Sequence, residues 1–278
     1  MDTEERLIAT SIDVRYAERS ERNVLDLHVP RSAAKPPLVV YIHGGAFRFG
    51  DKNDDHGQRQ RRGLLDAGFA VASVNYRYST EALWPAQLDD LRDAFAYLRG
   101  KADELRFDGG RVASFGPSAG GHLSATCGIA FAAAAQTRLA ACVAWFPAVD
   151  FLTMDADMEA SGVTRATGRN DAPGSPECML IGANVLDHPE LARAAGPLGQ
   201  LEALRPGAPL PPFLIMHGAR DPFIAAEQSR RLHRALENFG GSPRLELEVL
   251  PEGTHGGGGF ERPEAMAKVV AFLTDCFQ

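Results

Sequence analysis

Cysteine is scarce in this chain: four in 278 residues, with no C-x-x-C pair among them, which argues against a thiolate metal cage or a disulfide-stapled scaffold. Cys127, Cys142, Cys178 and Cys276 sit in mostly apolar stretches and are expected as buried free thiols. Positive charge is also short. Lys and Arg number 29 against 36 Asp and Glu, a net charge of −7, so the clustered cations that grip phosphates are lacking and no nucleic-acid partner is expected. Arg59, Arg61 and Arg62 do group together, but Asp51, Asp54 and Asp55 lie nearby and the set reads as a solvated helix face. No run approaches the roughly 18 consecutive apolar residues of a membrane span. The opening residues MDTEER are acidic and no apolar stretch of signal length follows, which predicts no secretory leader and a cytoplasmic, reducing setting. The H-E-x-x-H, P-loop and dinucleotide-glycine signatures are absent, so no metal and no organic cofactor is expected.

What the chain does have is alternation. With 278 residues and 45% hydrophobic content it can bury a full core, and a single domain over 1–278 is expected. Residues 11–17 and 23–29 alternate apolar and polar around the polar segment 18–22, the pattern of an antiparallel edge hairpin. Strands are then predicted at 38–42, 69–74, 112–115, 139–146, 213–216 and 245–250. Helices are predicted near 58–67, from Pro85 onward with Leu88, Leu91, Phe95 and Leu98 on one face, after Ser118, and near 225–239 and 263–277. Such alternation makes an α/β fold, a mostly parallel sheet of about eight strands with helices on both faces. The pattern breaks at 150–212, which is rich in Gly, Pro, Asp and Met and holds only short helical candidates at 176–180, 189–195 and 198–204. This stretch reads as a short lid-like insertion.

Four segments carry chemistry, and all fall where predicted strands end, the usual place for sites in such sheets. Gly116-Pro117-Ser118-Ala119-Gly120 is a G-x-S-x-G turn between strand and helix, which pushes an exposed serine to its apex. His43-Gly44-Gly45-Ala46-Phe47 puts small residues just past a strand, leaving backbone N–H groups free to meet a developing oxyanion. Asp221 ends Met216-His217-Gly218-Ala219-Arg220-Asp221, and His255 follows Gly253-Thr254. Each has a plainer reading: Ser118 as a helix N-cap, Asp221 as an Asx turn before Pro222, His255 as a surface-loop histidine. Asp150 also follows a strand and rivals Asp221 as an acid.

The order serine, aspartate, histidine is that of the α/β-hydrolases. The HGGAF, GPSAGGH, MHGARDP and GTHG segments together resemble those of α/β-hydrolase carboxylesterases, nearest the small microbial esterases that include feruloyl-type and hormone-sensitive-lipase-like enzymes. The likeness runs from about Val14 to the C-terminus. It implies an α/β-hydrolase fold and a serine hydrolase that cleaves a small-molecule ester through an acyl-enzyme. Ser118 would be the nucleophile, His255 the base, Asp221 its orienting acid, and Gly45, Ala46 and Ala119 the oxyanion hole. Ala46 departs from the glycine commonest in that group, and Pro117 precedes the serine without an N–H. Phe47 and Phe151 are expected as substrate-binding walls, with Phe49, Trp84, Met154 and Met158 as further candidates. Arg165 and Arg169 read as solvated lid arginines, with a carboxylate-bearing substrate as the other use. Two readings stay beside esterase: an arylformamidase or amidase using the same triad, and a non-catalytic binding protein on this scaffold. The residues leave open whether the chain forms a homo-oligomer. The glycine run 256–259 after His255 is expected either to be mobile without ligand or to form a tight turn against another backbone.

Overall fold

Of the four strands that end at the motifs, three lie in the interior of one sheet, and the strand before His255 forms its edge. The computed structural model describes residues 8–31 and 34–278; the acidic opening residues lie outside that range. Strands β1 (Ile8–Arg15) and β2 (Val24–Pro30) make the hairpin, and β3 (Pro37–Ile42) enters the core. Helix α1 (Gln58–Asp66), β4 (Ala70–Val74), α2 (Ala86–Gly100) and the single turn α3 (Ala102–Leu105) follow, then β5 (Asp108–Pro117), α4 (Ala119–Ala130) and β6 (Ala141–Trp145). Four short helices come next: α5 (Met154–Ser161), α6 (Pro176–Ile181), α7 (Pro189–Ala194) and α8 (Pro197–Glu202). The chain closes with β7 (Phe213–Gly218), α9 (Glu227–Phe239), β8 (Leu245–Leu250) and α10 (Pro263–Cys276).

The eight strands lie in the order β1-β2-β4-β3-β5-β6-β7-β8. β2 runs antiparallel to β1 and β4, and the pairs from β4 through β8 are parallel. Side chains alternate across a strand, so one strand feeds two cores. Leu38, Val40 and Ile42 of β3 join a cluster with α2 and α4, while Val39 and Tyr41 join one with α1 and α10. On the same principle, Cys142 and Ala144 of β6 meet Leu232 and Leu236 of α9. This is the predicted α/β arrangement, with its antiparallel edge hairpin.

Several boundaries differ from expectation, β5 beginning at Asp108 rather than at Val112. Strand β1 starts at Ile8, and a register shift between Ser11 and Val14 breaks its alternation. The insertion also holds one helix more than its sequence suggested. Helix α5 (MDADMEAS) offers only Met154 and Met158 as large apolar residues, too weak a stripe to read, and it is held by Asp155, which accepts the N–H groups of Asn170 and Asp171. Cys127, Cys142 and Cys178 are buried free thiols, whereas Cys276 is half-buried. No helix among the described residues is long and apolar enough to cross a membrane.

Candidate active site

Ser118 sits between β5 and α4 with φ 56° and ψ −123°, a left-handed conformation that costs a non-glycine residue about 1–3 kcal/mol. The surroundings impose it. The Ser118 N–H donates to Trp145 O at 2.9 Å, and its carbonyl accepts the His122 N–H at 2.9 Å. The neighbouring glycines allow the backbones to close: a Cβ on Gly116 would lie 2.3 Å from Gly120 O, and one on Gly120 would lie 2.0 Å from Ile42 O. Pro117 ends β5 opposite Trp145 and leaves the serine at the apex.

Asp221 lies past the end of β7 and uses its two oxygens differently. Oδ1 accepts the N–H groups of Phe223 at 2.8 Å and Ile224 at 3.0 Å, which is the Asx turn. Oδ2 accepts the His255 Nδ1–H at 2.7 Å. One carboxylate thus makes both the Asx turn and the contact with His255. Burial by itself would raise the carboxyl pKa, but hydrogen bonding to His217 and His255 outweighs it and holds Asp221 well below the usual carboxylate range. Asp150 plays no part in this contact. It faces Arg231 at 3.8 Å and accepts the Leu152 N–H.

With its Nδ1 protonated toward Asp221, His255 presents a bare Nε2, which accepts the Ser118 hydroxyl at 2.9 Å. Its ring lies between Phe146 and Phe223, with centroids 4.5 and 5.1 Å away. The glycine run beyond it forms a tight turn. Thr254 N–H donates to Gly257 O, Gly256 N–H donates to Thr254 O, and a Cβ on Gly258 would strike Glu252 O at 1.9 Å.

On the other side of Ser118 lies the loop 43–50. A Cβ on Gly44 would stand 3.6 Å from the Ser118 Cβ. Gly45, Ala46 and Phe47 are all left-handed, with φ of 116°, 52° and 59°. Ala46 therefore carries a strain that the glycine usual at this position would not. The Gly45 carbonyl turns away to accept the N–H groups of Arg48 and Phe49. Among the described residues, no backbone carbonyl takes the N–H of Gly45, Ala46 or Ala119.

The two rings expected to wall the cleft lie deeper. Phe47 and Phe151 are each 2% exposed and close on the buried His122 ring, at 5.1 and 5.4 Å. Met154 and Met158 are buried as well, while Phe49 is 55% exposed. Arg165 and Arg169 are occupied within the insertion, pairing with Asp155 and with Glu159 and Asp171. Sequence reasoning missed Phe146, Phe223 and the full environment of His217. That imidazole is buried, its Nε2–H donating to Ile224 O at 2.9 Å, its Nδ1 accepting the Ser229 hydroxyl, and Asp221 Oδ2 lying 3.5 Å away. The sole signal was position: His217 precedes Asp221 by one helical-turn spacing and Phe223 follows it by two. No group of three or more His, Cys, Asp or Glu side chains among the described residues could hold a metal ion.

Comparison with known proteins follows the same lines. The BD-FAE family model matches residues 25–236. The esterase LipQ of Mycobacterium tuberculosis is 27% identical over 266 residues, covering 90% of this chain and 58% of the relative. The esterase LipC of the same organism is 29% identical over 237 residues, 79% of this chain and 53% of the relative. The chain thus spans little more than half the length of the curated relatives it matches. A solved structure of a truncated carbohydrate esterase from gut microbiota superposes with a TM-score of 0.82 at 27% identity, covering 96% of both chains.

Proposed function

This chain belongs to the BD-FAE family of α/β-hydrolases, and from that premise we propose that it hydrolyses carboxylic esters through a covalent acyl-enzyme. Ser118 Oγ attacks the ester carbonyl while His255 Nε2 takes the hydroxyl proton. The tetrahedral intermediate collapses, the C–O bond to the alcohol breaks, and the imidazolium returns its proton to that oxygen. Water, deprotonated by the same nitrogen, then attacks the acyl-enzyme and releases the acid and the free serine. Asp221 keeps the proton of His255 on Nδ1 and stabilises the imidazolium. The oxyanion is held by the N–H groups of Gly45, Ala46 and Ala119, each such donor being typically worth about 10² to 10³ in rate.

The observation that carries this reading is the unbroken hydrogen-bond chain from Asp221 Oδ2 through His255 to Ser118 Oγ, at 2.7 and 2.9 Å. The likeness to a carbohydrate esterase over nearly the whole chain supports a sugar-borne ester as the first substrate class to try. Turnover of p-nitrophenyl acetate and butyrate by the wild type and by Ser118→Ala tests the mechanism. Equal rates in the two proteins would end it. N-formylkynurenine tested beside a panel of aryl and sugar acetates separates an amide-cleaving enzyme from an esterase.

A further inference from the structure

Arg22 lies in the β1–β2 turn, far from the four motifs in sequence, yet its guanidinium reaches behind the loop 43–50. Nε donates to Tyr76 O at 2.9 Å, and the terminal nitrogen Nη2 lies 3.3 Å from Gly50 O and 3.4 Å from His43 Nε2. The group stacks over the Tyr78 ring at 3.7 Å, and the Tyr78 hydroxyl donates to the same Gly50 carbonyl. Asp51 and Glu81 stand at 3.9 and 4.0 Å.

His43 is fully buried, stacked on Tyr76 with centroids 4.5 Å apart, and its Nδ1 lies 2.6 Å from Gly44 O. A carbonyl can only accept, so that contact needs the proton on Nδ1. The Arg22 donor at Nε2 demands the same tautomer. Burial first, and then the charge of Arg22, pushes the His43 pKa down to about 4, leaving one ring proton at neutral pH. In a planar trans peptide the C=O and the next N–H point in opposite directions. Tying Gly44 O back to His43 therefore sends the Gly45 N–H the other way. Gly45 O, tied to Arg48 and Phe49, does the same for the Ala46 N–H. At the far end of the loop, Gly50 has φ 94°, and a Cβ there would lie 2.5 Å from Gly44 O and 2.7 Å from His43 Nδ1.

We infer that Arg22 is the positioning residue of the oxyanion loop: one guanidinium holds the entry of the loop through His43 Nε2 and its exit through Gly50 O, and so sets the direction of the Gly45 N–H. The inference rests on the esterase reading of the site. Arg22 touches no reacting atom. It acts through His43, and a lysine in its place offers one ammonium that cannot serve Tyr76, Gly50 and His43 together.

The test compares wild type, Arg22→Lys and Arg22→Met with p-nitrophenyl acetate and with a methyl trifluoromethyl ketone, which forms a serine hemiketal bearing the oxyanion. A misdirected donor lowers kcat by about 10- to 100-fold in both variants with KM changed less than about threefold, and weakens the ketone by the factor lost from kcat/KM. Wild-type kcat in the variants, or a loss confined to KM with ketone affinity intact, overturns the inference. Nitrogen NMR of the wild-type His43 imidazole decides it without any variant. A proton on Nδ1 at neutral pH supports the clamp, and a proton on Nε2 refutes it. If the wild type cleaves no ester, the esterase reading falls, while the tautomer still judges the clamp.

Discussion

At Ser118 two kinds of group are set side by side: three side chains that meet directly, and the peptide N–H groups proposed to hold the oxyanion, which carry no side-chain chemistry of their own. Asp221 and His255 touch each other at 2.7 Å, and their chemistry is their own. In the proposed oxyanion hole Gly45 and Ala46 would contribute only N–H groups, in peptides whose carbonyls are tied to His43, Arg48 and Phe49. A side-chain contact can be deleted by one substitution, whereas a backbone donor survives most substitutions and fails only when its peptide plane turns. The first arrangement is therefore brittle toward mutation and the second toward loss of its supports.

The largest effect that comparison predicts is on the side-chain side. Removal of a triad member that acts as part of a unit costs about 10⁶ in kcat, so His255→Ala is expected to match Ser118→Ala when both are assayed on p-nitrophenyl acetate. Asp221→Asn is expected to cost about 10⁴ in kcat, since an amide stabilises the wrong imidazole tautomer. The backbone side responds less. Gly45→Ala places a Cβ 2.0 Å from Phe49 O at φ 116°, and the turned peptide is expected to lower kcat by about 10² to 10³, the worth of one donor. A Gly45→Ala loss equal to that of His255→Ala would erase the distinction between the two halves.

Acid should separate the halves in a smaller way. Burial pushes His43 and His122 down to about 4, so the unfolded chain binds protons that the native state refuses between about pH 6.5 and 4. Stability should fall with decreasing pH across that window, by up to about 1.4 kcal/mol per pH unit for each imidazole. Asp221 acts in the same direction but in a lower window. Its carboxyl is depressed in the fold, so its contribution is present above the ordinary carboxylate pKa near 4 and is lost only as the pH drops toward the lower native value. Urea unfolding followed from pH 7 to 3 should therefore show Asp221→Asn sharing the wild-type slope between 6.5 and 4 and flattening only below that. A slope in the upper window that changes with Asp221→Asn would show the two halves to be coupled.

The legible parts were those whose physics is local. Parallel strands buried on both faces are continuous apolar runs, as in Pro37–Ile42 and Phe213–Gly218, and their order follows from alternation with amphipathic helices. The elbow could be read because glycines at 116 and 120 are needed where backbones close to within van der Waals contact. The insertion between β6 and β7 was hardest to read, because helices such as Met154–Ser161 are stabilised by ion pairs and backbone N–H donors rather than by an apolar stripe. The turn formed by residues 256–259 likewise needed the coordinates, since four glycines leave the backbone path open and the close approach of Gly258 to Glu252 O is visible only in the fold.

By itself the chain's sequence determined the alternating fold and the strand ends, which are carried by residue type and short-range spacing, and it named Ser118, His255 and, with Asp150 as a rival, Asp221 as candidates. Only the tertiary structure decided that Ser118 and His255, 137 positions apart, would stand 2.9 Å from each other. It also turned Phe47 and Phe151 inward and brought Arg22 behind the loop 43–50. Those outcomes depend on how separate elements stack across the sheet, and stacking is settled by volume and distance between residues that no local pattern connects.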